Sequence, residues 1–208
     1  MVPYDKPVHM DVSSEDSVDS GIDSVVKQLG SPDVLVSNAG IQMIAPLVDF
    51  SFADWKRMMG VHLDGAFLTS RACLRQMYAK KSGSVIFMGS VHSKEASLLK
   101  APYITAKHGL EGLTRALAKE SAPHNVKVNM ICPGFVLTDL VQAQIPLQAE
   151  ELGITEQEVI KNVMLKNTVD GEFTTVEDIA EGTLFFAAYP NLAVTGQSMI
   201  MSHGWHME

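Results

Sequence analysis

Ser90, Tyr103 and Lys107 offer a hydroxyl, a phenol and an ammonium, a set that can move a proton. The run Tyr103-Ile104-Thr105-Ala106-Lys107 puts the phenol and the ammonium at i and i+4, on one helical face. An ordinary phenol, with a pKa of about 10, is a poor base at neutral pH, and a cation held beside it stabilises the phenolate and lowers that value. Ser90 follows the apolar run Val85-Ile86-Phe87 and so falls at the carboxyl end of a buried strand. In open α/β sheets ligands bind at that end. Taken singly, each residue also has an ordinary structural reading. A serine at a strand end serves as a turn residue, and an exposed Tyr-Lys pair forms a solvated helix face.

The elements that must position these groups follow from the hydrophobic pattern. Short apolar runs alternate with helix-length amphipathic stretches, the pattern of a parallel sheet covered on both faces. Strands are predicted at Val34 to Ser37, Val85 to Gly89, Lys127 to Ile131 and Ser198 to Met201, with a weaker one at Val8 to Asp11. Helices are predicted from about Asp16 to Leu29, Phe52 to Lys80, Ala101 to Ala122 and Val176 to Tyr189, with shorter ones between Val141 and Lys166. Ser13, Ser51 and Thr174 or Thr175 can cap three of them. The stretch 135–174 is rich in helix formers and poor in strong core signals, so it is expected to cover a site within a single domain spanning 1–208.

Composition narrows the partners. With 46% hydrophobic and 19% charged residues, the 208-residue chain has the make-up of one globular domain. Its formal charge of -8, without a basic stripe, argues against nucleic acid or an acidic membrane surface and for a small soluble partner. Cys73 and Cys132 lie far apart and outside any Cys-x-x-Cys spacing, so no metal site is indicated and buried thiols of a reducing cytoplasm are expected. The opening Met-Val-Pro-Tyr-Asp-Lys-Pro has no apolar signal core, and no apolar run is long enough to span a bilayer.

Asn38-Ala39-Gly40 after one strand, Ser90 after the next, Tyr103 with Lys107, and Pro133-Gly134 after a third resemble the short-chain dehydrogenase/reductase family in order and spacing from Asp33 to Trp205. The resemblance implies a Rossmann-like, doubly wound parallel α/β sheet and hydride transfer between a nicotinamide cofactor, NAD, and a carbinol or carbonyl carbon. By the same resemblance Tyr103 is the general acid/base and Ser90 hydrogen-bonds the substrate oxygen. Lys107 lowers the tyrosine pKa and holds the nicotinamide ribose. Asp11, Val12, Asn38, Ala39, Gly40, Pro133, Gly134 and Thr138 are the implied cofactor contacts, and packing of the long helices between subunits implies a homotetramer.

A narrower set of stretches looks like those of bacterial D-3-hydroxybutyrate dehydrogenases: Ala39-Gly40-Ile41-Gln42, Ser90-Val91-His92, Lys100-Ala101-Pro102-Tyr103, Ile131-Cys132-Pro133-Gly134 and Leu140 to Ile145. Carried over by position, Gln42, His92, Lys100 and Gln144 bind the carboxylate of a small hydroxy acid, and Trp205 helps close the pocket. The chemistry is sensible, because a desolvated carboxylate needs directed donors and a cation. Singly, Lys100 also reads as a loop charge, His92 as a turn residue, Gln144 as an exposed helix residue and Trp205 as packing. Other expectations stand beside this one: a different hydroxy acid or a sugar alcohol as substrate, or a non-catalytic family member acting as an assembly partner.

The sequence departs from the family's pattern in two places. The resemblance implies an opening strand, glycine-rich turn and helix that receive the cofactor pyrophosphate, yet before Asn38 the only glycines are Gly21 and Gly30. The sheet is therefore expected to be N-terminally incomplete, with its first two strands absent. In Val61-His62-Leu63-Asp64-Gly65, His62 stands where the family usually has a relay asparagine. Histidine still donates or accepts, so a weakened or rerouted relay through His62 is expected.

Overall fold

The computed structural model describes residues 7–208; Met1 to Lys6, expected to carry no signal core, lie outside the described residues. The element order is α1 (Glu15–Leu29), β1 (Val34–Ser37), α2 (Phe52–Met59), α3 (Gly65–Lys80), β2 (Gly83–Met88), α4 (Ala101–Ser121) and β3 (Val126–Pro133). Short helices α5 (Asp139–Gln142), α6 (Gln144–Leu152) and α7 (Glu156–Val159) follow, then α8 (Val176–Ala188) and β4 (Ser198–Met201). The four strands form one parallel sheet in the order β1-β2-β3-β4. The fold is a parallel α/β sheet of Rossmann type.

The sequence builds this sheet through continuous apolar runs. β2 and β3 are buried along nearly their whole length, as strands covered on both faces must be. Val85, Phe87, Val128, Met130 and Cys132 point to one face, where Ala66, Cys73, Leu74 and Met77 of α3 and Leu110 and Ala118 of α4 cover them. Ile86 and Ile131 point to the other face, against Ile179 and Phe186 of α8. Phe87 is fully buried, and truncating it to alanine costs about 3–5 kcal/mol by the usual core series. The α1 helix packs on α3 through Val18, Leu68 and Ala72. Both cysteines are free and buried.

The caps show why the helices begin where they do. Ser51 Oγ accepts from Asp54 N–H, and Thr175 with Asp178 closes a reciprocal capping box at α8. At α1 the cap is Ser14 instead of Ser13. The expected strand at Val8 to Asp11 does not form. A strand exists only through a neighbour's ladder, and this segment instead folds over the start of α1, where the Asp11 carboxylate accepts from Ser13 N–H at 2.9 Å and Ser13 O–H at 2.7 Å. The single helix expected from Phe52 to Lys80 is interrupted by a π turn at Gly60–Asp64, which carries His62; such wide turns concentrate at functional positions. The segment 135–174 has more core than its composition suggested: Val141, Ile145, Val159 and Met164 form their own buried cluster.

β1 pairs with β2 on one side and with nothing on the other among the described residues. Leu35 faces the α3 side, whereas Val34 and Val36 are each 41% exposed. Unpaired apolar edges template intermolecular pairing, and a lysine there discourages it. Val36→Lys is expected to suppress light scattering on refolding while changing stability by less than about 1 kcal/mol; equal scattering in the two proteins would refute this view of the edge.

Candidate active site

The site lies at the carboxyl ends of β2 and β3. Met88 ends β2, Gly89 N–H donates to Ile131 O at 2.7 Å, and the chain turns at Ser90 into a short 3-10 helix, Val91–Ser93. Ser90 Oγ accepts from His92 N–H at 3.1 Å, leaving the serine proton free to donate. Across from it α4 presents Tyr103 and Lys107. Lys107 is 5% exposed; its ammonium donates to Met88 O at 2.6 Å and lies 5.3 Å from the Tyr103 ring centroid.

The titration of these groups differs from the expectation that Lys107 would lower the tyrosine. Burial pushes the Tyr103 phenol up to about 12, opposed by its hydrogen bond with Ser90. Burial brings Lys107 down to about 8. Desolvation of the phenolate dominates, because an apolar surrounding penalises every charged form inside it.

Gln42, Ser90, His92, Lys100, Tyr103, Gly134, Gln144 and Trp205 converge on one small cavity of about 70 Å³. Lys100 is 3% exposed and has no carboxylate partner among the described residues; its Nζ lies 4.7 Å from the Phe135 ring centroid, and burial lowers it to about 8. Trp205 stacks on Phe135 at 5.1 Å and meets His92 edge-on at 5.5 Å. Gln42 Oε1, His92 Nδ1, Gln144 Oε1 and Trp205 Nε1 are buried without a hydrogen-bond partner among the described residues. Buried polar atoms are normally paired. Four orphans lining one small cavity leave unmet hydrogen bonds that a polar ligand is able to satisfy.

His62 lies on the other side of Tyr103, with ring centroids 5.4 Å apart in an edge-to-face pair. Its Nε2 lies 2.8 Å from Ile41 O and 3.3 Å from Ile41 N. A side chain at Gly40 would meet the His62 ring at 2.9 Å, so only glycine lets the ring approach the Asn38-Ala39-Gly40 turn. Burial, and then the charge of Lys107, hold His62 at about 4, and burial with Lys100 holds His92 at about 3.

A second, larger groove of about 580 Å³ opens beside β1. Asn38, Pro133 and Thr138 line it together with Val36, Met88, Val136 and α8 residues. Of the expected cofactor contacts, Asn38, Pro133 and Thr138 thus face this groove, Gly134 lines the smaller cavity, and Ala39 and Gly40 form the turn against His62. Asp11 and Val12 line neither: Asp11 is tied into the cap of α1 and Val12 packs against Gly65. Phe135, Leu140 and Val141 are walls of the small cavity that the chemistry-bearing residue types did not point to; an aromatic residue directly after Pro133-Gly134, at a strand's carboxyl end, was the available signal.

The chain matches the family model described as short chain dehydrogenase over residues 5–148. It is 42% identical over 181 residues to the D-beta-hydroxybutyrate dehydrogenase of Rhizobium meliloti, covering 87% of this chain and 70% of that one. Its structure is similar to that of sorbitol-6-phosphate 2-dehydrogenase from Erwinia amylovora, with a TM-score of 0.90 and 30% identity over 96% of this chain and 78% of that one. A gluconate 5-dehydrogenase from Burkholderia cenocepacia, solved with NADP and tartrate, superposes with a TM-score of 0.83 at 31% identity, covering 94% and 73% of the two chains.

Two histidines held neutral make the fold acid-sensitive. Below the ordinary value of about 6.5 the unfolded chain binds protons at both positions, whereas the folded chain refuses them until about 4 at His62 and about 3 at His92. Stability therefore falls as pH drops through that window, by up to about 1.4 kcal/mol per pH unit for each histidine. Urea denaturation between pH 7 and pH 4.5 should show a shallower pH slope in His62→Gln than in the parent; equal slopes would be contrary.

Proposed function

The chain belongs to the short-chain dehydrogenase family, an oxidoreductase family using nicotinamide cofactors, and from that premise we propose that it interconverts 3-hydroxybutyrate and acetoacetate with NAD. One observation carries this reading: residues as far apart as Gln42 and Trp205 bring their unpaired polar atoms to the same small cavity as Ser90, Tyr103 and the uncompensated cation Lys100. The cavity suits the size of a short hydroxy acid, and its buried ammonium suits a carboxylate. The R. meliloti relative supports the same substrate.

The nicotinamide end of a dinucleotide fits the residues present. Lys107 spends one of its three ammonium protons on Met88 O, and Asn38 and Thr138 line the larger groove together with Met88 and Pro133, the last residues of β2 and β3. The bound cofactor would take or give the hydride. No glycine-rich cradle for the pyrophosphate stands beside that groove among the described residues.

In the proposed reduction, the Lys100 ammonium and the unpaired Trp205 Nε1–H hold the carboxylate, while the Gln42 and Gln144 Oε1 atoms accept from donors on the ligand or take part through their Nε2–H groups. Ser90 donates to the ketone oxygen, and the Tyr103 phenol delivers the proton to it. A phenol held at about 12 is fully protonated at neutral pH, which favours proton donation over abstraction. Oxidation needs the phenolate, so its rate climbs with pH. His62 props the phenol from the far side. Segment 135–174 covers the cavity with Phe135, Leu140, Val141 and Gln144. An oligomer, proposed as a homotetramer, finds support in the exposed Phe67 of α3 and in the groove it lines with Leu113 and Leu117 of α4.

A second reading, a non-catalytic member serving as an assembly partner, draws on the exposed Phe67 and the groove it lines with Leu113 and Leu117. Acetoacetate offered to the purified chain with NADH, and separately with NADPH, separates the two readings and the two cofactors. Consumption of NADH supports the proposal; none with either cofactor in a folded, acetoacetate-binding protein favours the assembly partner. Tyr103→Phe is expected to lower turnover about 100- to 10,000-fold with acetoacetate affinity retained. Lys100→Met should raise the acetoacetate KM about tenfold or more. In the parent, because Lys100 is a cation below about 8, KM should rise as pH passes upward through that value, by up to about tenfold per unit. A flat KM profile would remove Lys100 from carboxylate binding.

A further inference from the structure

Trp205 reaches the cavity by an unusual backbone route. Four residues after β4 ends at Met201, its N–H donates to Ser202 O at 3.0 Å, closing a tight turn. The central residues of that turn, His203 at φ +50° and Gly204 at φ +73°, are both left-handed. Glycine suits the second place twice over, since a side chain there would meet Val169 Cγ1 at 2.7 Å. Histidine adopts the first at a cost, because its Cβ crowds the backbone in the left-handed conformation.

The covering segment 135–174 holds His203 there. Val169 N–H donates to His203 O at 2.9 Å, and His203 Nδ1 lies 2.6 Å from Asp170 Oδ2. Beyond Trp205, His206 Nδ1 lies 3.1 Å from Glu95 Oε2, and Glu208 Oε2 lies 3.1 Å from the Lys94 ammonium. The indole is thus suspended between two anchors, one on the covering segment and one on the loop that follows Ser90. Asp170 and His203 are partly solvated, so their pairing adds little to global stability. What it does determine is the direction in which the turn points.

We infer that Asp170 and His203 are positioning residues: their pairing locks the left-handed turn that aims the Trp205 indole, with its unpaired Nε1–H, into the cavity as a donor to a carboxylate ligand. The cavity's size and its anion affinity then depend on a contact at the surface. This rests on the substrate reading above for the identity of the ligand, and on geometry alone for the positioning.

Trp205 and Trp55 are the only tryptophans in the chain, so a Trp55→Phe background isolates the indole. In that background the probes are acrylamide quenching, with no ligand, and titration with acetoacetate, with no cofactor. Asp170→Ala and His203→Ala are expected to raise the quenching constant about twofold, as a loosened turn exposes the indole, and to weaken acetoacetate binding about tenfold. His203→Asn should restore both, because asparagine tolerates the left-handed region and still donates to Asp170. If an alanine variant loses its circular dichroism, Asp170→Asn is measured in its place, with an expected effect in the same direction. Unchanged quenching in folded variants, or failure of His203→Asn to rescue, would overturn the proposal. Raised quenching in variants of a parent that binds no acetoacetate would uphold the positioning and count against the substrate reading.

Discussion

The site depends on two ammonium groups kept in a dry place without a counter-charge. Lys100 and Lys107 are nearly inaccessible, both are lowered to about 8, and neither meets a carboxylate among the described residues. Burying an unpaired cation is among the costlier things a fold can do. Lys107 recovers part of the cost from Met88 O, at the end of β2, and in doing so fixes α4 against the strand end and Tyr103 opposite Ser90. Lys100 recovers less, from the face of Phe135. The remaining deficit is what an anion would offset in the proposed binding mode.

Much of this was legible in the residues. β1 and β4 fall where the apolar runs put them, and α4 and α8 end within a residue or so of the expectation, because a buried run or a long amphipathic face leaves few alternatives. What stayed hidden was whatever depends on a neighbour. Val8 to Asp11 has strand-like composition but no ladder to join. The π turn around His62 leaves no trace in periodicity, since one extra residue per turn is absorbed by the flanking helices. A lysine at i+4 implies a lowered Tyr103 phenol, whereas burial raises it, because desolvation is set by everything around a group and cannot be inferred from one partner. Asp170 and His203 are 33 residues apart and belong to no motif.

The convergence of Gln42, His92, Lys100, Gln144 and Trp205 teaches a complementary lesson. Each, alone, has an ordinary reading as a loop, turn or packing residue, and only the fold decides among them. The sheet does so by gathering the loops after several strands at one end, so residues distant in sequence become walls of one cavity. Three of these walls, Phe135, Gln144 and Trp205, sit on segments with no role in the sheet, which separates the part that sets ligand shape from the part that sets stability.

The two halves of the site differ in mechanical support. The small cavity is braced by β2 and β3, by α4 and by the cluster inside segment 135–174. The larger groove is bounded by β1, which has a ladder on one side among the described residues, and by α8, the helix that covers the opposite sheet face. Amides of β1 should therefore exchange with solvent through small local openings, while those of β3 exchange only with global unfolding. A molecule settling in the groove would have to order that soft wall as it binds, and part of its binding energy would reappear as protection of β1. The small cavity would need no such ordering, so in the proposed binding mode one half of the site is preformed and the other would be completed by its occupant.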